Sequence, residues 1–417
     1  MLKNYLMMAL NVYRRRKMFT AINLFCIVLT LIVLLVVTAM VEQSFSPSGV
    51  LAKRGDRILT VSTVTKYGEG NVWTTNLGYK LIEQYLKPMK SAELVGAVSA
   101  PKLVAIYRDD VVHKSTIRYT DDNYWKILDF QLLAGRWIND EDIRRGSSYV
   151  VISGSIATKL FGKLNPVGQK LSISMQQYEI IGVVEDARKA IASAEMWAPL
   201  TTMNTSDYRN SLSGDFNAIL LARDASQLSM MKKELREISA TVQQDDPAKW
   251  PKTHMLANTS FDEFARGFSS RNSDQPEESE DSGAGTVMAW IVLLMFLFML
   301  LPALNLVNLN MGRMMERSVE IGVRKAFGAS NLELVGQFLF ENLLLTLIGC
   351  GLAFLLIQLF LLWLGFSGMI PYFDGGINLT VYLYGVLIAT VFSVVSGILP
   401  AWRMAKLDPV FALKGNA

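Results

Sequence analysis

Cysteine and histidine are almost missing from this chain of 417 residues, which holds Cys26 and Cys350 and, in the second case, His113 and His254. Both cysteines fall inside uncharged apolar stretches, so the intervening residues 42–285 contain no disulfide and must hold together by core packing. No Cys or His pair has ligand spacing, which leaves nothing from which to build a transition-metal site. A phosphate-cradling Gly-x-x-x-x-Gly-Lys-Ser/Thr loop is missing as well. Ser153–Lys159 offers a glycine and a lysine without that spacing, and it is not a Gly-x-Ser-x-Gly nucleophile turn either. Nucleophile, base and orienting group do not occur together, so the chain reads as non-catalytic, with no cofactor or metal of its own.

Charge is missing from four long segments, Phe19–Val41, Thr286–Gly312, Asn342–Phe373 and Gly375–Trp402. Each exceeds the 18 or so apolar residues that cross a hydrocarbon core roughly 30 Å thick. The expected fold is therefore membrane α-helical, with four transmembrane helices and a large α+β extracytoplasmic domain inserted between helices 1 and 2. A cleavable signal peptide is set aside, because the first apolar run continues past Val41 without a small-residue cleavage site and a polar mature start.

Lys and Arg fix the expected orientation. Arg14, Arg15, Arg16 and Lys17 precede the first span; Arg313, Arg317, Arg324 and Lys325 follow the second; Arg403, Lys406 and Lys414 follow the fourth. The turn between the third and fourth spans carries Asp374 and no basic residue. The positive-inside rule then puts both termini and residues 313–330 in the cytoplasm and residues 42–285 outside, in a multi-pass protein of the bacterial inner membrane.

Leu2, Tyr5, Leu6, Ala9, Leu10 and Tyr13 recur at helical spacing, so residues 1–18 read as an interfacial helix or as a cytoplasmic extension of the first span. Expected strands outside the membrane are Ile58–Thr65, Ser148–Ser153, Lys170–Ser174, Tyr178–Val184 and Phe216–Arg223, with helices over Thr75–Met89 and Ala225–Gln244. Residues 42–285 form one domain of two lobes or two small domains. Residues 269–285 turn polar and acidic and read as a flexible lead into the second span; their carboxylates lack the spacing of a calcium loop. Asn23, Asn305, Asn308 and Gln358 inside the spans suit interhelical hydrogen bonds, and Gly349, Gly351, Gly385, Ser393, Ser396 and Gly397 suit close helix packing.

The cytoplasmic stretch Glu316–Ser330 has its own logic. Val319, Val323 and Phe327 share one helical face, while Glu316, Glu320 and Arg324 share another, with acid before base at i, i+4. Gly322 thins the helix, Gly328 is placed to end it, and Ser330 with Glu333 forms a capping box for the next one. That next helix runs from Asn331 to about Leu364, roughly 50 Å, and protrudes into the cytoplasm.

These residues carry a resemblance. Glu316, Arg317, Glu320, Ile321, Gly322, Arg324, Lys325, Ala326, Gly328 and Ala329 match the coupling segment of MacB-type and FtsX-like ABC transporter permeases of the type VII superfamily, here without a fused nucleotide-binding domain. Pro400–Gly415 resembles the ending of the same family, with Asp408 and Pro409 suited to start a small helix. Outside the membrane, GRWINDEDI from Gly135, VVISGSIATKLFGKLNPVGQKL from Val150 and YEIIGVVED from Tyr178 resemble the MacB-like periplasmic core; residues 186–285 do so less.

The resemblance implies a permease subunit of an ABC export or extraction complex that works by mechanotransmission. A separate cytoplasmic ABC ATPase binds ATP and magnesium and grips Glu316–Ala329, with Val319, Val323 and Phe327 giving apolar contact and Glu316, Glu320, Arg317, Arg324 and Lys325 giving charge. Arg317 and Lys325 are the first candidates to face lipid headgroups instead. A second permease, identical or diverged, completes the pair; a membrane-fusion adaptor and outer-membrane duct are further partners, and nucleic acid is not one. An FtsX-like regulator of a cell-wall hydrolase and a LolC-like lipoprotein-releasing permease share the topology and stand as alternatives.

Overall fold

The computed structural model describes residues 7, 13–14, 17–45, 49–108, 111–187, 189–205, 207–269, 281–298, 300, 323, 327, 330–367 and 379–405. It divides into two units, Ser44–Val287 and a second comprising Met1–Gln43 with Met288–Ala417.

Ser44–Val287 is a single compact unit built on one mixed sheet of fourteen strands among the described residues. Met196–Pro199 is paired on both sides, in parallel with Val111–Thr120 and antiparallel with the buried run Tyr149–Ser153, whose own parallel neighbour is Gln176–Val184. The sheet continues through Lys170–Ile173, Lys102–Arg108, Val111–Thr120 and Ala92–Ser99 to Phe216–Ala222, then to the hairpin Thr63–Gly68/Asn71–Leu77 and the edge strand Lys252–Met255. Strands buried on both faces read as unbroken apolar runs, which is why YVVIS and FNAILLA were legible. Helix Gly154–Phe161 connects Tyr149–Ser153 toward its parallel partner in a βαβ crossover, with the Ser153 hydroxyl capping the helix at Ile156 N–H.

Three apolar clusters cover the two faces of this sheet, since neighbouring strand residues such as Val150 and Val151, or Ile219 and Leu220, belong to different clusters. One gathers Leu59, Leu77, Ile82, Phe216, Met231 and Leu235; another gathers Ile106, Ile117, Val150, Tyr178 and Met196. The third holds Tyr124, Trp125, Phe130 and Trp197, whose rings meet at 4.9–6.0 Å, edge-on or tilted.

The expected helix over Thr75–Met89 is corrected. Thr75–Leu77 ends a strand, and helical turns occupy only Tyr79–Leu81 and Ile82–Leu86. Gly78 breaks the run, because its Cα lies so close to the Ser211 carbonyl that a Cβ would collide with it. Ser62 likewise divides the expected Ile58–Thr65 strand into Ile58–Val61, paired with Phe216–Ala222, and Thr63–Gly68, paired with Asn71–Leu77. The helix expected over Ala225–Gln244 is regular over Leu228–Thr241.

Two of the family-like segments interlock. Gly135, at φ 76°, lies opposite Gly182, and a Cβ on either would strike backbone of the other strand, at Ile181 O or Arg136 O. Arg136 then grips Asp142 with two hydrogen bonds, at 2.5 and 2.9 Å, while Asn139 and Asp142 form a capping box for Asp140–Arg145. Gly135→Ala adds both a collision and left-handed strain, so it is expected to cost about 2 kcal/mol or more, read as a lower denaturation midpoint at unchanged slope.

The other unit contains the apolar helices. Helix Lys17–Phe45 includes the span-length segment Thr20–Thr38, and helix Asn331–Ser367 includes Leu332–Leu364. Among the described residues these two are long and apolar enough to cross a membrane; Ala284–Phe298 and Tyr382–Val395 are shorter apolar helical segments, the latter inside helix Leu379–Ala405. Of the external turn expected over 366–378, residues 366–367 still belong to helix Asn331–Ser367, and of the tail expected over 403–417, residues 403–405 belong to helix Leu379–Ala405. The rest of both, the remainder of the expected second span, most of the N-terminal helix, Asn305, Asn308 and residues 270–280 lie outside the described residues.

Small residues settle the helix packing here. Gly349 lets Ile27 approach to 2.7 Å of where a Cβ would stand, and Gly397 does the same for Asn342 at 2.8 Å. Gly385 faces Leu31, Leu34 and Leu35, whereas Gly351 meets nothing within 4 Å. Thr346 and Ser393 hydroxyls bond at 2.8 Å, and Tyr382 O–H donates to the Cys350 carbonyl at 3.1 Å. Asn23 is buried with no hydrogen-bond partner among the described residues, so the interhelical bonding expected of it is not found there.

One titrating group in the Ser44–Val287 unit yields a pH prediction. Burial opposes ionisation of Asp262, but donors from Ser282 Oγ (2.6 Å), Thr259 N–H (3.0 Å) and Lys232 Nζ (3.1 Å) outweigh it and hold the carboxyl at about 2. Its folded value lies below its unfolded one. The stabilisation is therefore complete above about pH 4 and is lost as pH falls toward 2, amounting to about 1 kcal/mol once solvent screening is allowed for. Thermal unfolding of the wild type and Asp262→Asn should differ at pH 6 and converge near pH 2.

Candidate coupling site

The site is anchored by the start of the longest helix. At Ser330 and Glu333 two hydrogen bonds cross: Ser330 N–H donates to Glu333 Oε2 at 3.0 Å, and Glu333 N–H donates to Ser330 Oγ at 3.3 Å. This is the capping box read from the sequence, and Leu334 N–H completes the first turn onto Ser330 O at 3.3 Å. From there the helix runs 37 residues to Ser367, about 55 Å.

Immediately ahead lie two large apolar side chains turned to solvent. Phe327 is 88% exposed and Val323 is 41% exposed, and Phe327 N–H donates to Val323 O at 3.1 Å, one helical turn back. Leu332, just past the cap, is exposed as well. Both Val323 and Phe327 belong to the apolar face expected of the segment. Glu316, Arg317, Val319, Glu320, Ile321, Gly322, Arg324, Lys325, Ala326 and Gly328 lie outside the described residues.

Behind the cap, the helix is held by polar contacts that sequence reading missed. Glu341 is 5% exposed and accepts from Gln337 Nε2 at 3.2 Å, while the Tyr13 hydroxyl donates to the Glu341 carbonyl at 2.5 Å. The sequence placed Glu341 just outside the third span; the span-length segment begins at Leu332 and includes it. A buried carboxylate in an apolar helix is costly and must be met by polar neighbours, which Gln337 supplies. Tyr13 packs with Leu345, so the end of the N-terminal segment seats against the long helix.

A family model of the MacB-like periplasmic core domain matches residues 20–238, just over half of the chain. The chain belongs to this family. The FtsX-like permease C-terminal model matches residues 292–409, which include the capped helix and the exposed Val323 and Phe327. Among relatives, this MacB-like chain is 26% identical over 338 residues to an uncharacterized ABC transporter permease, YknZ, of Bacillus subtilis, covering 79% of this chain and 77% of that one. It is 22% identical over 306 residues to the macrolide export ATP-binding/permease protein MacB of Vibrio parahaemolyticus, covering 72% of this chain. The MacB-like chain spans 42% of that relative's length. The crystal structure of the periplasmic region of MacB from Actinobacillus actinomycetemcomitans aligns with a TM-score of 0.40 at 15% identity, over 53% of this chain and 95% of that one.

The cap gives the site a direct test. Ser330→Ala with Glu333→Ala removes both reciprocal bonds and should cost the first turn about 1 kcal/mol. Amide exchange over residues 331–334 should then speed up roughly fivefold, with no change at 350–360.

Proposed function

We propose that this MacB-like permease is the non-catalytic membrane subunit of an ATP-binding cassette export or extraction complex, and that it transmits motion rather than passing substrate between its helices. The reading is supported first by Phe327, an almost fully exposed phenylalanine one turn ahead of a hydrogen-bonded cap on a 37-residue helix. An exposed aromatic side chain at that place suits a protein partner with an apolar pocket.

In this mechanism a cytoplasmic ATPase dimer, which binds ATP and magnesium, closes against Glu316–Ala329 of two permeases. Phe327 and Val323 fill pockets on the ATPase, and the charges from Glu316 to Lys325 set the register. Because the cap keeps the start of Asn331–Ser367 from fraying where this segment joins it, a push on the segment moves the long helix as a rigid rod. Four spans, with both termini and the coupling segment inside and residues 42–285 outside, carry that motion across the bilayer. A second permease, an adaptor and an outer-membrane duct complete the export reading. The names of the relatives, an ABC transporter permease and macrolide ATP-binding/permease proteins, favour it over regulation of a cell-wall hydrolase.

Val323→Asp with Phe327→Asp should abolish copurification of the permease with its ATPase while leaving membrane expression unchanged. An intact complex with the double variant would contradict the assignment of these side chains.

A further inference from the structure

Helix Ser260–Ser269, SFDEFARGFS, carries Phe261, Phe264 and Phe268 at three- and four-residue spacing along one face. Its polar face is engaged within its own unit. Besides the bonds to Asp262, Glu263 accepts from Ser62 Oγ at 2.8 Å and Arg266 Nε donates to Asn258 at 2.9 Å. The phenylalanine face is largely open, with Phe264 40% and Phe268 58% exposed. Apart from each other, these rings stack on Phe45, at 5.1 Å to Phe261 and 4.9 Å to Phe264.

We infer that this aromatic face rests in the headgroup layer of a lipid bilayer, so that the helix Ser260–Ser269 is an interfacial foot of the Ser44–Val287 unit. Chain continuity carries the argument. Phe45 ends the helix that carries the first span-length segment, and the four residues beyond the uncharged run's last residue, Val41, cover about 6 Å of helix, which brings Phe45 to headgroup depth. On the other chain side, Ser282 bonds to Asp262 and stands two residues before the apolar helix Ala284–Phe298. Both segments that lead toward lipid therefore converge on this one helix. Aromatic rings are favoured at that depth, and an amphipathic helix lies there with its apolar face down.

Asp262 is paired with Lys232, and Glu263 and Arg266 are hydrogen-bonded to Ser62 and Asn258, so the polar face is turned into the unit and the attraction is to the apolar boundary and not to anionic headgroups. A phosphatidylcholine membrane should serve as well as one containing phosphatidylglycerol. The inference requires that the chain sit in a bilayer, but neither export nor an ATPase.

The test places a nitroxide at Phe268→Cys, or at Glu263→Cys on the opposite face, in the full chain with Cys26→Ala and Cys350→Ala, reconstituted in phosphatidylcholine vesicles. Oxygen should relax the label at 268 about threefold more effectively than a water-soluble nickel chelate, with the order reversed at 263, as expected across a membrane interface. Equal, water-like accessibility at both positions would overturn the proposal. So would spin–spin broadening at 268 that disappears on dilution with unlabelled chain, which would assign the face to a second copy. The wild-type chain gives an independent reading: a phosphatidylcholine with a diazirine near its headgroup should label residues 260–268, and labelling of residues 20–38 without it would overturn the inference.

Discussion

Two hydrogen bonds at Ser330 and Glu333 are the constraint on which the rest of this permease depends. A helix begins with four backbone N–H groups that have no partner inside it, and an uncapped start frays. Reciprocal capping satisfies Ser330 N–H and Glu333 N–H, so the first turn of the 37-residue helix is held where the exposed segment meets it. In the proposed mechanism that joint decides whether a push at Phe327 becomes displacement of the rod or is dissipated in local unwinding.

The same economy appears along the rod and in the outer unit. Gly349 and Gly397 admit Ile27 and Asn342 at distances that any side chain would forbid, and Thr346 with Ser393 ties the long helix to Leu379–Ala405. In Ser44–Val287, Gly135 and Gly182 allow two strands to meet backbone to backbone, while Arg136 and Asp142 lock the turn that follows. Close contacts of this kind resist deformation, as the proposed mechanism requires.

Much of this was legible in the residues, and the exceptions have physical causes. Buried runs such as YVVIS and FNAILLA announce their strands, and the Ser330/Glu333 spacing announces its cap. Lys102–Arg108 and Val111–Thr120 were not read as strands; Lys114 and Arg118 interrupt the apolar pattern of the second, and the mutual pairing of the two strands is a tertiary fact. Thr75–Met89 looked helical by spacing, yet the close approach of Ser211 to Gly78 is a tertiary fact that no local pattern contains. Glu341 was missed because a carboxylate marks the end of an uncharged run; its burial beside Gln337 is visible only once the helix is packed. Of the expected coupling face, the described residues are Val323 and Phe327, both exposed, and their meeting an ATPase is part of the proposed function.

The central claim is that residue 327 and the outer unit stand on opposite sides of one membrane. Labelling of Phe327→Cys and Trp137→Cys in intact cells by a membrane-impermeant maleimide, in a background without Cys26 and Cys350, tests it most directly. The account predicts that 137 reacts in intact cells and that 327 reacts only after lysis. Reaction of both positions in intact cells would contradict it.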